Sequence, residues 1–548
     1  MDGVSTALEI INLIYTTTIF IRDVAQEVKD YGDAKRDISE RLEHELVFVE
    51  TFTDVCFGEE RGFLRDSRVR ESVKRDVTHC LEALSKALAA YRAEAWKYAG
   101  AVPDMVDETA DELGKVNLKE ESKKKWKNVM KARYQVWTKK AAPLQWALFG
   151  KEGMEELLAK YSEWTDRLRQ TLSIILLLVG TPTLEFAAST QAKDLGVKEV
   201  SERQARVASA PPPEYCALKG DLKDPTNVVP GDGLIKGTYE DESGFDSADV
   251  VIEIRSYDEA LSLAISERNH EEATELLEPL RQLTWLLQSP VDSSLSEKDA
   301  EEGYRMHTLS CLGFIDEPAK NRSLILYRAP SVLSSGQDVS TLHSCISKGQ
   351  RPMLGNRFLV ARALTATLLA VHTSGWVHKN ICSRSVLMLP RSNSETFPYL
   401  VGWDTARQID AGTSLHAFFE LEPNLYRHAQ RFGKPSHKFS NEHDVYSLGV
   451  VLLEIGLWRT MSTVFERPLA KNPKIETSQQ HALFTRVNGM IQDMANGADL
   501  KREMGEKYAD VVKSCLTWDA VANQEEAVES SMRLRKEVVD ALTAGAKL

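Results

Sequence analysis

The sequence predicts a multidomain protein of the α plus α+β class, an N-terminal helical bundle of four-helix type followed by a unit mixing strands and helices. Three observations predict it. At 548 residues the chain exceeds what a single hydrophobic core usually holds. From Val4 to Leu178 apolar residues recur almost throughout at helical spacing. After Ser209-Ala-Pro-Pro-Pro213, a stiff extended spacer, the composition turns to short β-branched runs alternating with helical ones. The expected domains are 1–186 for the bundle, 187–245 for a brace or linker, and 246–548 for the second unit. Within that unit a smaller part spans about 246–330 and a larger one about 331–548, with the first strands starting near 215.

The elements follow in order. Val4, Leu8, Ile11, Ile14, Ile21, Val24 and Val28 place an apolar face on a first helix that ends near Gly32. Amphipathic stretches follow at Asp37–Phe57, Asp66–Tyr98, Lys119–Thr138 and Lys151–Leu178, separated by breaks of the length an up-and-down bundle uses. Val197–Val207 reads as a short charged helix and Val250–Arg255 as a strand. The chain closes in a helical region from Ser478 to Ala546.

Composition narrows the function classes. A net charge of -13 argues against a general nucleic-acid binder, and no zinc or recognition-helix signature is present. Cys56, Cys80, Cys216, Cys311, Cys345, Cys382 and Cys515 are scattered and include no C-x-x-C, so they read as reduced intracellular thiols, not as disulfides or metal ligands. Met1-Asp-Gly-Val-Ser-Thr-Ala-Leu-Glu9 lacks the basic start of a signal peptide, and Met1-Asp2 excludes myristoylation. No run reaches the roughly 20 apolar residues of a spanning helix. Ile10–Ile21 and Thr171–Leu184 come nearest, and both are expected as buried helices.

The segment from Lys115 to Lys151 carries eleven Lys and Arg against Glu120 and Glu121, a local charge of +9 in an acidic chain. Lys123, Lys124, Lys125, Lys127, Lys131 and Arg133 are interleaved with Trp126, Tyr134 and Trp137. Such a face suits an anionic membrane, each basic side chain contributing about 1 kcal/mol. The plainer reading, a solvated basic face over aromatics packed in the bundle, is the expectation at rest.

Ordered stretches of the second unit, from Val250 to Glu454, resemble protein kinases. His378-Lys-Asn-Ile-Cys-Ser-Arg-Ser385 falls on the catalytic-loop pattern H-R-D-L-x-x-x-x-N, with Lys379 for Arg, Asn380 for the proton-accepting Asp and Ser385 for the metal-binding Asn. A neutral amide cannot accept the substrate proton. Gly402-Trp-Asp-Thr-Ala-Arg407 falls on D-F-G-x-A-R, so Gly402 stands for the metal-binding Asp and Asp404 for the Gly. A register shift of two would make Asp404 a ligand, but Ala406-Arg407 argues against it. Asp444–Glu454 resembles the D-x-W-S-x-G helix, and Tyr426-Arg-His-Ala-Gln430 the end of an A-P-E segment without its Pro and Glu. Val250–Arg255 stands for the V-A-I-K strand and puts Arg255 at the phosphate-binding Lys, with Glu272, Glu275 and Glu278 on the following helix and no partner chosen among them. Gly231-Asp-Gly-Leu-Ile-Lys-Gly237 has one residue too many for G-x-G-x-x-G and is not read as a phosphate cradle.

In the first unit, Trp146-Ala-Leu-Phe149 with Lys151, together with the apolar first helix, resembles the HeLo and prion-inhibition helical domains of fungal cell-death proteins. That resemblance implies a membrane-active first helix, here Ile10, Ile11, Leu13, Ile14, Ile19, Phe20 and Ile21. A HeLo-type bundle joined to a degenerate, bilobal protein-kinase-like domain resembles the mixed-lineage kinase domain-like executors of necroptosis. The expectation is a non-enzymatic cell-death effector, cytoplasmic at rest and at the plasma membrane when activated. Its expected partners are further copies of itself as a homo-oligomer, anionic membrane lipids and an upstream kinase or immune-receptor-type activator, with no nucleic acid. No metal and no turned-over cofactor are expected; ATP binding, through Arg255, is left open. Two alternatives stand beside it: an atypical active kinase using Asp404 and Arg255, and a signalling scaffold or incompatibility module without membrane action.

Overall fold

The structure, a computed structural model, describes residues 3–27, 34–58, 62–66, 69–93, 150–179, 186, 189–195, 197–209, 211–227, 234–244, 247–288, 306–330, 340–349, 351–390, 396–409, 417, 419–471, 473–518 and 524–545. Two compact units divide the chain, residues 1–205 and 206–548. Among the described residues the first is helical, and the second combines antiparallel sheets with helices. The stretch 187–245, expected as a brace, falls on both sides of that division and includes the first two strands of the second unit.

In the first unit, α1 (Gly3–Glu27) packs on α2 (Ala34–Phe57) and α3 (Glu71–Ala87), and α4 (Lys151–Val179) packs on the same two. The third helix starts at Glu71, five residues later than expected, and breaks at Leu88 before helix resumes over 89–93; a single 3-10 turn at Phe63–Arg65 that buries Leu64 precedes it. The expected helix Lys119–Thr138 and the Trp146–Phe149 segment lie outside the described residues.

Ile11, Ile14, Ile21 and Ala25 are buried on one stripe of α1, which is what its spacing requires. The run Thr16-Thr17-Thr18 is poor helix former by propensity, yet each hydroxyl donates to a carbonyl four residues back. Packing outweighs propensity here. Phe48 and Phe52 of α2 stack at 5.8 Å, and Leu172, Ile174 and Ile175 of α4 complete the core. That core is not wholly apolar: Thr18 and Tyr161 hydroxyls meet at 3.0 Å, Glu45 is buried, and the Arg169 guanidinium lies 4.5 Å over the Phe48 ring.

The second unit opens with an antiparallel sheet of β1 (Gly220–Asn227), β2 (Ile235–Asp241), β3 (Ser247–Ser256), β4 (Cys311–Glu317) and β5 (Arg322–Arg328), in spatial order β1-β2-β3-β5-β4. Register between β3 and β5 sets Glu253 opposite Ile325 and Arg255 opposite Ser323. Between β3 and β4 runs α5 (His270–Leu287), capped by Asn269 on the Glu272 amide and lining the sheet with Leu280, Leu283 and Leu287.

The rest is built on α6 (Leu354–Thr373) and α7 (Asn441–Leu457), the latter buried from Asn441 to Gly456 and packed on α8 (Glu506–Leu516). Among the described residues α6 is the one helix long and apolar enough to cross a membrane, and 72% of its apolar window is buried inside the unit. Arg357 and Arg362 interrupt its apolar run, which is why no span stands out in the sequence. The Arg357 guanidinium is tied to the Gly456 carbonyl at 3.0 Å, so it belongs to the helical core.

Candidate functional site: a basic cleft at residues 253–255, 378–385 and 402–407

Strand alternation puts Glu253 and Arg255 on the same face of β3. The buried Glu253 carboxylate accepts from the Gly402 amide at 2.6 Å, the Trp403 amide at 2.8 Å and the Tyr327 hydroxyl at 3.2 Å. Burial pushes this carboxyl up to about 7, against the two amides that favour its charged form. The side chain of this strand that grips the 402–403 turn is therefore an acid, Glu253.

The loop after α6 is positioned by α7. Asp444 accepts from the His378 amide at 2.8 Å and the Lys379 amide at 2.9 Å, fixing Lys379 at φ +70, a conformation an L side chain seldom takes. The His378 ring is buried edge-on to Trp403, with ring centres 4.6 Å apart. Burial lowers its pKa to about 4, so it stays neutral near pH 7 and carries no proton to donate as an imidazolium.

Asn380, Ser385 and Gly402 lie side by side. Asn380 Nδ2 donates to the Gly402 carbonyl at 3.5 Å. Ser385 Oγ accepts from the Cys382 amide at 3.0 Å and donates to the Cys382 carbonyl at 2.9 Å, so its hydroxyl closes its own turn. Gly402 sits at φ +85, and a Cβ there would lie 2.9 Å from Asn380 Nδ2 and 3.2 Å from Ser385 Cβ. An aspartate at position 402 would be strained at this φ and would press on the Asn380 amide and on Ser385.

Asp404 stands between two hollows of about 350 and 380 Å³. One is bordered by Glu253, Asn380, Ser385 and Gly402. The other is lined by Arg255, Lys379, Arg427 and Arg431. Burial raises the Asp404 carboxyl, and Arg255 pulls it back down. Arg255 thus finds its charge partner in Asp404, not in Glu272, Glu275 or Glu278: Glu272 caps α5 through Asn269, and Glu278 pairs with Arg281 at 3.0 Å. Lys379 is lowered to about 8, by burial first and then by Arg407, Arg431 and Arg255.

Sequence reasoning placed Arg255, His378, Asn380, Ser385, Gly402 and Asp404, and the fold brings these six to one place. It missed Glu253, which the period of two would have paired with Arg255, and Arg427 and Arg431, which no spacing signals. In the first unit Ile11, Ile14, Phe20 and Ile21 are buried, whereas Ile10, Leu13 and Ile19 are half-buried. Lys123, Lys124, Lys125, Trp126, Lys127, Lys131 and Arg133 lie outside the described residues. Among the described residues no group of three or more His, Cys, Asp or Glu side chains is arranged to hold a metal ion. Comparison with known protein families and with curated proteins finds no match to this chain.

Proposed function

We propose that this chain is a cell-death effector whose N-terminal helices permeabilise membranes on oligomerisation, under the control of a second unit that is kinase-like and catalytically inactive. The observation that carries it is the pairing, in one chain, of a helical unit led by an apolar helix with a cleft whose Glu253 carboxylate, Asn380 amide and Ser385 hydroxyl are spent on backbone groups. Several features support the kinase-like reading. The segments 378–385, 402–407 and 444–454 meet in the order the resemblance requires, below a five-stranded antiparallel sheet with a helix between its third and fourth strands. Inactivity is supported by Asn380, an amide where a base is needed, and by Glu253, whose carboxylate is held by backbone amides.

The bundle supports the effector half. Burying each Ile or Leu contributes about 1.5–3 kcal/mol, in a protein core and in a bilayer alike. Against that gain, the core includes Glu45, Arg169, Thr18 and Tyr161, and buried polar groups stabilise less than apolar ones of the same volume. A bundle of this kind can have a second packing only a few kcal/mol away.

Expression of residues 1–205 alone should kill cells and locate to membranes, and the purified, helical fragment should release dye from anionic vesicles. Ile10→Glu and Leu13→Glu, at half-buried positions, should abolish both effects in a fragment that remains helical. A folded fragment that releases no dye sinks the proposal and leaves a scaffold. Asp404 beside Arg255 keeps the atypical-kinase alternative alive; metal-dependent ATP turnover lost in Asp404→Ala would establish it.

A further inference from the structure

Pro211-Pro-Pro-Glu-Tyr215 is the only run of adjacent prolines in the chain, and the proposed function uses it as nothing more than a spacer. Its middle is a turn, in which the Tyr215 amide donates to the Pro212 carbonyl at 2.9 Å. Pro213 and Glu214, at the tip, are exposed, whereas Pro212 and Tyr215 are half-buried. Two side chains of α5, one helical turn apart, hold this turn. Arg281 donates from Nε to the Tyr215 carbonyl at 2.5 Å, and from Nη2 to the Pro211 carbonyl at 2.9 Å and to the Pro212 carbonyl. The Trp285 ring lies against the Tyr215 ring, with centres 5.1 Å apart. The seat is imperfect: Trp285 Nε1 is buried with no hydrogen-bond partner among the described residues, so the docked state carries an unmade bond. Downstream the chain is fixed to β4, where the Leu218 amide donates to the Phe314 carbonyl at 2.7 Å.

We propose that Pro212-Pro-Glu-Tyr215 is a masked ligand for a protein module with an aromatic-lined groove of the WW type, kept closed by Arg281 and Trp285 of α5. Consecutive prolines fix their own φ and donate no amide, so a segment released from the turn is already extended as polyproline II and loses little entropy on binding. Aromatic-lined grooves read proline pairs in that conformation. The spacing Pro-Pro-x-Tyr adds an aromatic ring one residue beyond the pair, which fills a second pocket beside the first. The P-x-x-P spacing that SH3-type grooves read is missing here, because Glu214, Tyr215 and Cys216 follow the three prolines. Tyr215 cannot serve α5 and a partner together, since its ring lies against Trp285. The two states therefore compete, and a partner's apparent affinity falls by the fraction of molecules in which the turn is released.

The test is calorimetric titration of a purified WW-type domain that binds Pro-Pro-x-Tyr peptides, with an SH3-type domain as control, into the full chain and into a synthetic peptide of residues 208–218. The peptide should bind the WW-type domain, and the full chain should bind it at least about tenfold more weakly, the ratio reporting the closed fraction. Arg281→Met and Trp285→Leu should each move the full chain toward the peptide's affinity, and Tyr215→Ala added to Arg281→Met should abolish binding. Lys320→Gln, at an exposed lysine, should bind as the parent does. Circular dichroism checks that each variant is folded, and the two independent releasing variants guard against one failing to fold. A peptide that does not bind overturns the proposal, as does a full chain that binds as tightly as the peptide. Releasing variants no tighter than the parent, binding that survives Tyr215→Ala, or binding to the SH3-type domain alone overturn it too. No membrane enters this titration, so its failure and the failure of the permeabilisation proposal are distinguishable.

Discussion

Asn380, Ser385 and Gly402 border one hollow, where the Asn380 amide donates to the Gly402 carbonyl and the Ser385 hydroxyl closes its own turn. Glu253 grips the same turn from the strand side. The same unit holds a second buried acid, Glu454, whose carboxyl burial pushes up to about 7 while the Met461 amide and Tyr426 hydroxyl, both on Oε1, pull it down. A folded pKa above the ordinary value of 4.5 means that this group's contribution is complete below pH 4.5 and is lost as pH rises through 7. Glu454→Gln keeps an oxygen for both donors and cannot ionise. Urea unfolding between pH 5 and 8 should show the variant gaining on the parent as pH rises. Parallel curves would show that Glu454 does not titrate in that range. His378 and His443, lowered to about 4 and about 3 by burial, act in the opposite sense, so the informative quantity is the difference between variant and parent.

Among the elements, α1 was legible because its apolar residues keep helical spacing past the threonine run, and only the fold shows that two of its faces differ. Ile11 and Ile14 are buried, while Ile10 and Leu13 are half-buried. Ile14→Ala should destabilise the bundle by about 2–5 kcal/mol, read as a lower urea midpoint for residues 1–205. A loss below about 1 kcal/mol would show that the core closes over the missing atoms. The helix α5 was expected for its glutamates, yet its useful groups are a leucine wall and Arg281. That guanidinium donates to the Tyr215 carbonyl at 2.5 Å, the Pro211 carbonyl at 2.9 Å and the Pro212 carbonyl. The Pro212 carbonyl also accepts from the Tyr215 amide at 2.9 Å, so Arg281 adds a side-chain tie to a turn the backbone has begun. Arg281→Met should make residues 209–219 cleave several-fold faster under limited proteolysis, with α5 itself retained; an unchanged rate would mean that the Tyr215–Trp285 ring contact at 5.1 Å holds the spacer alone.

For the whole molecule, helical periodicity and a proline spacer sufficed to separate a helical unit from one with sheets, because both are properties of local sequence. The position of the division was not local: the strands at Gly220–Asn227 and Ile235–Asp241 pair with each other and with β3, and only the distant pairing of β3 with β5 ties them into the sheet of the second unit. The same holds for the cleft. Sequence alone determined that positions 380, 385 and 402 hold an amide, a hydroxyl and a glycine, chemical identities that no fold can change. Only the tertiary structure decided which charges gather beside them, because Glu253, Arg255, Lys379, Asp404, Arg427 and Arg431 come from four separate segments and act through distances that exist only once the chain has folded.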